Sequence, residues 1–308
     1  MPTRIEDLKL GWIGTGRMGY EMAARLARGG CDIAVWNRTR AKAEPLSKYG
    51  ATIVESLSEL ADRDIVFCMV STWQDVKEVM QKLLSGKSKP RMVIECSSIS
   101  LEGSAQLREM LKKKKIEYLA APVSGNAKVI KAGKLTFVVS GPKSAYEAAR
   151  PYLDRMGSGS SYVGEGELSR IVKICHNVFL GVVIQSMCEV TVLAQKAGVP
   201  RHAFLDFLNR SVMGSMFTRY KTPALVNLDF EVTFTPQLLR KDLDLGLDAG
   251  REFEVPMPLA SATRDLIQRM IGLGMAGEDF SKLIVMQAGA SGIKLQSENK
   301  EVGNGLPS

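Results

Sequence analysis

The sequence predicts an α/β protein in two parts: a doubly wound, mostly parallel sheet over residues 1–165, then an all-α region over residues 166–308 introduced by a long helix. Three observations carry this. Through the first half, short apolar and β-branched runs alternate with stretches of helical periodicity, the pattern of strands joined by crossover helices. A glycine-rich turn stands between the first strand and the first helix. Past Gly166 the strand signal stops, and Leu168–Ala197 runs as one apolar stretch with a single internal glycine, Gly181. At 308 residues the chain has room for two domains of roughly 100–200 residues each.

Taken in order, residues 8–13 form an apolar strand that ends at Gly14, after which Met18, Met22, Ala23, Leu26 and Ala27 recur at helical spacing. Further strands are predicted at Asp32–Trp36, Ala51–Val54, Ile65–Val70, Met92–Cys96, Ile116–Ala120, Leu135–Ser140 and Ser161–Val163. Helices fall between them at Asp75–Leu84, Gly103–Lys114 and Ser144–Met156. The long helix is apolar nearly all round and should therefore be buried. Later helices are predicted at Arg201–Ser211, Pro236–Glu252, Leu259–Met275 and Ser281–Leu295, and the last twelve residues read as a frayed tail.

Composition excludes several classes. A mix of 45% hydrophobic and 24% charged residues is that of a soluble globular protein. The five cysteines, Cys31, Cys68, Cys96, Cys175 and Cys188, sit in apolar runs without a C-x-x-C pair, which points to buried, reduced thiols in a cytoplasmic protein. With two histidines, His176 and His202, a metal site or a Ser-His-Asp triad has little to be built from. No stretch reads as a membrane span of about 20 residues or as a secretory signal. The net charge of +8 is spread among acids except at Lys112–Lys115, which reads as a solvated helix end rather than a nucleic-acid surface.

Gly14-Thr15-Gly16-Arg17-Met18-Gly19 follows a strand and opens a helix, the context in which G-x-G-x-x-G marks the phosphate-binding turn of a Rossmann-type sheet. The first glycine allows the turn, the second lets backbone approach a pyrophosphate, the third lets helix pack on strand, and the helix N-terminus faces the anion. The second strand ends in Asn37-Arg38-Thr39-Arg40. In NAD binders an acid at this point bonds the ribose 2′-hydroxyl. Here Arg38 and Thr39 offer a guanidinium fork and a hydroxyl suited to a 2′-phosphate, so the expected cofactor is NADP.

Ala121-Pro122-Val123-Ser124-Gly125-Asn126 presents a hydroxyl and backbone N–H groups that could hold a carboxylate. On the long helix, Lys173 and Asn177 are four residues apart and share a face. A lysine in so apolar a helix is costly unless it works or pairs, and burial of an amine favours the neutral form useful for proton transfer.

These residues together resemble the β-hydroxyacid dehydrogenases, a family that includes 3-hydroxyisobutyrate dehydrogenase and the glyoxylate/succinic semialdehyde reductases. The likeness runs from Leu10 to about Leu295. Residues 12–19 resemble the family's cofactor signature, Met69-Val70-Ser71 the loop over the adenosine side, and Ser97-Ser98-Ile99 the segment near the nicotinamide. By this resemblance Ser124 and Gly125 inherit carboxylate binding, Lys173 is the catalytic lysine and Asn177 its partner. Phe234, Lys241 and Asp242 resemble the segment that closes over substrate and nicotinamide. The resemblance implies hydride transfer between the coenzyme and a small 3-hydroxy acid, or the matching aldehyde or keto acid, in a homodimer or homotetramer. An imine-reductase-like enzyme and a non-catalytic coenzyme-binding module are the competing readings, and the presence of Lys173 weighs against both.

Departures from the family pattern bear on substrate. Ala120 stands where the family often has Asp, Asn126 where it often has Gly, and His176 where it often has Asn, while Glu167 and Ser169 replace usual glycines. Asn126 and His176 could read an amino or extra hydroxyl group on the substrate, or could be structural.

Overall fold

The computed structural model describes residues 8–305, which form two compact units, one reaching to Lys173 and one beginning at Ile174. In the first unit the main layer is built from β1 (Leu10–Ile13), α1 (Arg17–Arg28), β2 (Ile33–Trp36), β3 (Thr52–Ile53), β4 (Ile65–Cys68), α2 (Trp73–Leu83), β5 (Met92–Glu95), α3 (Leu101–Lys113) and β6 (Glu117–Ala120). The six strands are all parallel, in the order β3-β2-β1-β4-β5-β6. Chain direction across the sheet reverses between β1 and β4, and in such sheets ligands bind beyond the carboxyl ends of the strands at that point.

Every residue of β1, β4 and β5 is buried, as expected of central parallel strands covered on both faces. On one face Trp12 and Phe67 stack with centroids 5.5 Å apart and pack with Met22 and Leu26 of α1. On the other, Ile13, Val66, Val76, Met80 and Leu107 close the layer. Side chains start the helices: Thr72 accepts from Asp75 N–H at α2, and Ser100 from Gly103 N–H at α3.

A second, smaller sheet completes this unit. It comprises β7 (Val123–Ser124), α4 (Ala127–Lys131), β8 (Thr136–Val139), α5 (Lys143–Met156) and β9 (Gly159–Tyr162), with strand order β7-β8-β9. β7 runs antiparallel to β8, and β8 parallel to β9. A two-residue strand is too short to leave a period in the sequence, which is why β7 is absent from the sequence reading.

The helix α6 (Leu168–Lys196) spans the division between the units. The expectation that it is buried all round is corrected. Val178, Ile184, Met187, Cys188 and Val192 lie in a core, but Leu168, Val172, Phe179, Val190 and Leu193 are exposed, Phe179 to 70%. Their successive offsets of 4, 7, 11 and 3 residues put them on one stripe of the helix. Cys175, expected to be buried, is exposed on this helix as well.

The second unit continues with α7 (Arg201–Arg210), α8 (Met216–Asn227), α9 (Pro236–Glu252), α10 (Pro258–Met270) and α11 (Leu283–Ala290). α10 ends earlier than the spacing predicts, because a π turn over Ile271–Met275 follows it and Gly274 adopts φ 84°. The expectation of a frayed tail is corrected for residues 297–305, the rest of that segment lying outside the described residues. Glu298 accepts hydrogen bonds from the Arg201 and His202 N–H groups at 2.8 and 2.9 Å, and Asn227 pairs twice with the Lys300 backbone. A carboxylate at the α7 N-terminus satisfies N–H groups that the helix itself leaves unpaired.

Candidate active site

The residues of the first unit assigned to the coenzyme lie at the carboxyl ends of β1, β2, β4 and β5, whereas Lys241, also assigned to it, belongs to α9 of the second unit. Gly14 has φ 97°, and a Cβ there would collide with the Met69 carbonyl; a Cβ on Gly19 would collide with the Gly14 carbonyl. Gly16 by contrast faces open space, with no heavy atom within 4 Å of its Cβ position. Among the described residues no side chain caps α1 and no acid stands in its first turn, so its N–H groups and dipole remain available to an anion. The Thr15 hydroxyl is buried without a partner among the described residues, a donor that a phosphate oxygen would satisfy. The turn therefore fits a dinucleotide pyrophosphate, with Arg17 and Met18 at the start of the helix that backs it.

Asn37 joins this turn to the end of β2. Its Oδ1 accepts from Thr15 N–H at 2.9 Å and its Nδ2 donates to the Thr39 carbonyl at 2.8 Å. Arg38 is 82% exposed, with the Asp75 carboxylate 3.5 Å away. Arg40 is engaged by Glu44 and Glu55, and Thr39 is exposed beside Arg38. Met69 continues β4, its N–H bonded to the Ile13 carbonyl at 2.9 Å, and Val70 N–H donates to the Ser97 hydroxyl at 2.9 Å. Ser71 and Ser98 are exposed beside these segments.

In the small sheet, Ser124 is half-buried and Gly125 exposed. Gly125 has φ 142°, where a Cβ would press on Val129 and Leu135 at 2.9 and 3.1 Å, so glycine is required by the backbone itself. Asn126 caps α4: its Oδ1 accepts from Val129 N–H at 3.1 Å. That bond gives the side chain a structural task and accounts for its presence without a substrate.

Lys173, half-buried on α6, closes the first unit. The turn before it holds contacts that sequence reasoning missed. Glu167 pairs with Arg108. The Ser169 hydroxyl donates to the Ala120 carbonyl at 2.9 Å and meets the Ser140 hydroxyl at 2.8 Å, so the two departures from the family's glycine pattern tie this turn to α3 through Glu167 and to β6 through Ser169. Arg170 is buried against Glu95. A charged pair inside the sheet edge leaves no periodic signal, although an arginine within so apolar a helix was the hint.

In the second unit Asn177 is buried and donates through Nδ2 to Asp242 Oδ2 at 2.6 Å, while its Oδ1 lies 3.0 Å from His176 Nδ1. The structure thus makes buried Asp242 a partner of Asn177, and gives His176 a neighbour on its own helix. Lys241 is exposed beside Asp242 at 3.7 Å. Phe234 is fixed through Asp279: the Phe280 N–H donates to the Phe234 carbonyl at 3.1 Å, and the Phe234 ring meets Phe280 edge-on at 5.9 Å. Asp279 accepts from Lys221 Nζ and from Thr233 N–H, both at 2.8 Å.

The sheet order and the phosphate turn define a dinucleotide-binding Rossmann-type fold, and comparison with known proteins places it further. Residues 9–164 match the NAD-binding domain of 6-phosphogluconate dehydrogenase, and residues 166–286 the NAD-binding domain of NADP-dependent 3-hydroxyisobutyrate dehydrogenase. The chain belongs to the β-hydroxyacid dehydrogenase family. It is 29% identical to glyoxylate/succinic semialdehyde reductase 2 of Arabidopsis thaliana, across 91% of this chain and 79% of that protein. It is 28% identical to 2-(hydroxymethyl)glutarate dehydrogenase of Eubacterium barkeri, across 94% and 98%. Among solved structures, the 3-hydroxyisobutyrate dehydrogenase of Mycobacterium tuberculosis with L-serine superposes with a TM-score of 0.79 at 26% identity, covering 90% of this chain and 98% of that one.

Proposed function

We propose that this protein is an NADP(H)-dependent dehydrogenase or reductase of a small 3-hydroxy acid or 3-hydroxy amino acid, or of the matching aldehyde or keto acid, with Lys173 as general acid and base. The observation that carries the coenzyme half is the end of β2: no carboxylate follows Trp36, and Arg38 and Thr39 stand exposed beside the open turn at Gly16. The five N–H donors of Arg38 allow it to keep Asp75 and accept a phosphate together. The substrate class is supported by the relatives, whose names and bound L-serine share a carboxylate with an alcohol or aldehyde nearby.

When bound, the nicotinamide coenzyme supplies or accepts the hydride. Lys173 gives the proton to the substrate oxygen in reduction and takes it in oxidation. Ser124 and the Gly125 N–H receive the carboxylate. In the second unit Asp242 holds Asn177, and by the family resemblance Asn177, Asp242, Phe234 and Lys241 serve the substrate and the nicotinamide. We infer in addition a cytoplasmic homodimer or homotetramer, supported by the exposed apolar stripe of α6.

A coenzyme-reduction screen over small hydroxy acids and 3-hydroxy amino acids, followed by Lys173→Ala on the best substrate, tests the reading. Loss of a general acid costs about 10²–10⁴-fold in rate, so Lys173→Ala is expected to lose that much turnover while still binding NADPH. Lys173→Arg is expected not to restore it, since a guanidinium keeps its proton. A near-parental rate in Lys173→Ala would remove the lysine from the chemistry.

A further inference from the structure

Three residues before Lys173, Arg170 carries a charge into the interior of the first unit with 2% of its surface exposed. Its Nη2 binds the Glu95 carboxylate, its Nη1 donates to the Ser97 carbonyl at 2.5 Å, and its Nε donates to the Ser104 hydroxyl at 3.2 Å. Glu95, the last residue of β5, is fully buried, and its other carboxylate oxygen accepts the Ser97 N–H at 2.7 Å. The Ser97 hydroxyl in turn accepts the Val70 N–H. One unbroken set of bonds therefore runs from the first turn of α6, through the ion pair, to residues 97–98 after β5 and 69–71 after β4. Tyr118, whose hydroxyl closes the cluster 3.4 Å from Arg170, is pushed up to about 12 by burial and stays protonated at neutral pH.

Stability alone does not call for such a pair, because well-packed apolar residues in place of a buried ion pair are often as stable or more so. What apolar residues cannot do is set direction and distance between three separate backbone segments at once. Arginine can, since its fork addresses the carboxylate, a carbonyl and a hydroxyl in fixed geometry. The segments so joined are the two coenzyme loops and the turn leading to Lys173. Proton transfer requires heavy atoms within about 2.6–3.2 Å, and a misplacement of about 1 Å can cost on the order of 10²-fold.

We propose that Arg170 and Glu95 are positioning residues that hold Lys173 in register with the coenzyme segments 69–71 and 97–98; the proposal rests on Lys173 being the proton-transfer group. The test is the paired variant Glu95→Leu/Arg170→Met, which removes both charges together. It is expected to melt within a few degrees of the parent, to bind NADPH about tenfold more weakly by fluorescence titration, and to lose about 10–100-fold in kcat with little change in KM for the hydroxy acid. Its kcat–pH profile should shift relative to the parent, a readout that a purely structural pair would not move. Should the paired variant fail to fold, Arg170→Lys serves: an ammonium cannot hold Glu95, Ser97 and Ser104 in the same fork, so about a tenfold loss of kcat is expected. Parental kcat and parental coenzyme affinity in a folded variant, with Lys173→Ala inactive, would overturn the proposal alone. A parental rate in Lys173→Ala would instead overturn the reading on which it rests.

Discussion

Arg38 meets solvent on most of its surface and shares only one loose contact with Asp75, so its charge is available to a ligand at little cost in folding energy. Arg38→Asp should leave the folding free energy within about 0.5 kcal/mol of the parent and raise the KM for NADP far more than that for NAD, because it replaces a charge-assisted contact by repulsion. Equal use of NAD and NADP by the parent enzyme would sink the preference. Asp279 is the opposite case. Burial pushes its carboxyl up, but the Lys221 ammonium and the hydrogen bonds of Ser281 and Thr233 outweigh that and hold it below its ordinary value of 3.8. A carboxylate depressed in the folded state contributes stability that is present above the unfolded value and lost as pH falls through the folded one. The melting temperature should therefore drop as pH goes below about 4. Asp279→Asn should cost about 3–5 kcal/mol at pH 7 by removing the carboxylate that balances the buried Lys221 ammonium, and should lack that share of the acid-induced loss. An unchanged melting temperature at pH 7 would show that the pair holds nothing.

Within β1, the turn and α1, the three glycines of one motif divide their work, and the division can be measured. Gly19 lets helix pack on strand, so Gly19→Ala is expected to destabilise the fold through the clash with the Gly14 carbonyl. Gly16 has open space where a side chain would stand; Gly16→Ala should keep the parental melting temperature while NADPH binding falls sharply, since the methyl occupies the approach of the pyrophosphate. Matching losses of stability in both variants would mean that Gly16 is structural too. This element was legible in the sequence because its backbone needs only glycine could meet and its helix buries one regular face. α8 was not legible: its buried face includes Thr218, Lys221 and Thr222 beside Leu225 and Val226, with Lys221 met by distant Asp279 and the two threonine hydroxyls donating to the Ser215 and Thr218 carbonyls. The same holds for Arg170 and Glu95, 75 residues apart in sequence, whose pairing only the fold reveals. The docking of the tail by Glu298 and the capping role of Asn126 likewise depend on which N–H groups stand nearby, information that spacing does not contain.

At the scale of the whole molecule, the exposed face of α6 poses the remaining question of what covers it. Composition could tell that the helix is apolar all round but not whether one or two surfaces pack on it, which is why complete burial within one chain was the wrong expectation. The helix has 29 residues and so extends about 43 Å; a strip about 10 Å wide along it amounts to about 430 Å², near half of the roughly 800 Å² that each partner buries in a standard interface. A second copy of this chain that paired through α6 would therefore have to draw on other apolar surface as well, and the second unit exposes Phe207, Val212, Met213, Phe253, Leu259 and Leu273. Phe179 and Leu193, each about 70% exposed, sit on the stripe where burial would contribute most, at about 1.5–3 kcal/mol per side chain. Light scattering after size exclusion is expected to show a homo-oligomer for the parent, and Phe179→Glu/Leu193→Glu is expected to shift it towards monomer by placing two carboxylates from each copy in the contact. A parent that remains monomeric at micromolar concentration would leave the stripe without this partner.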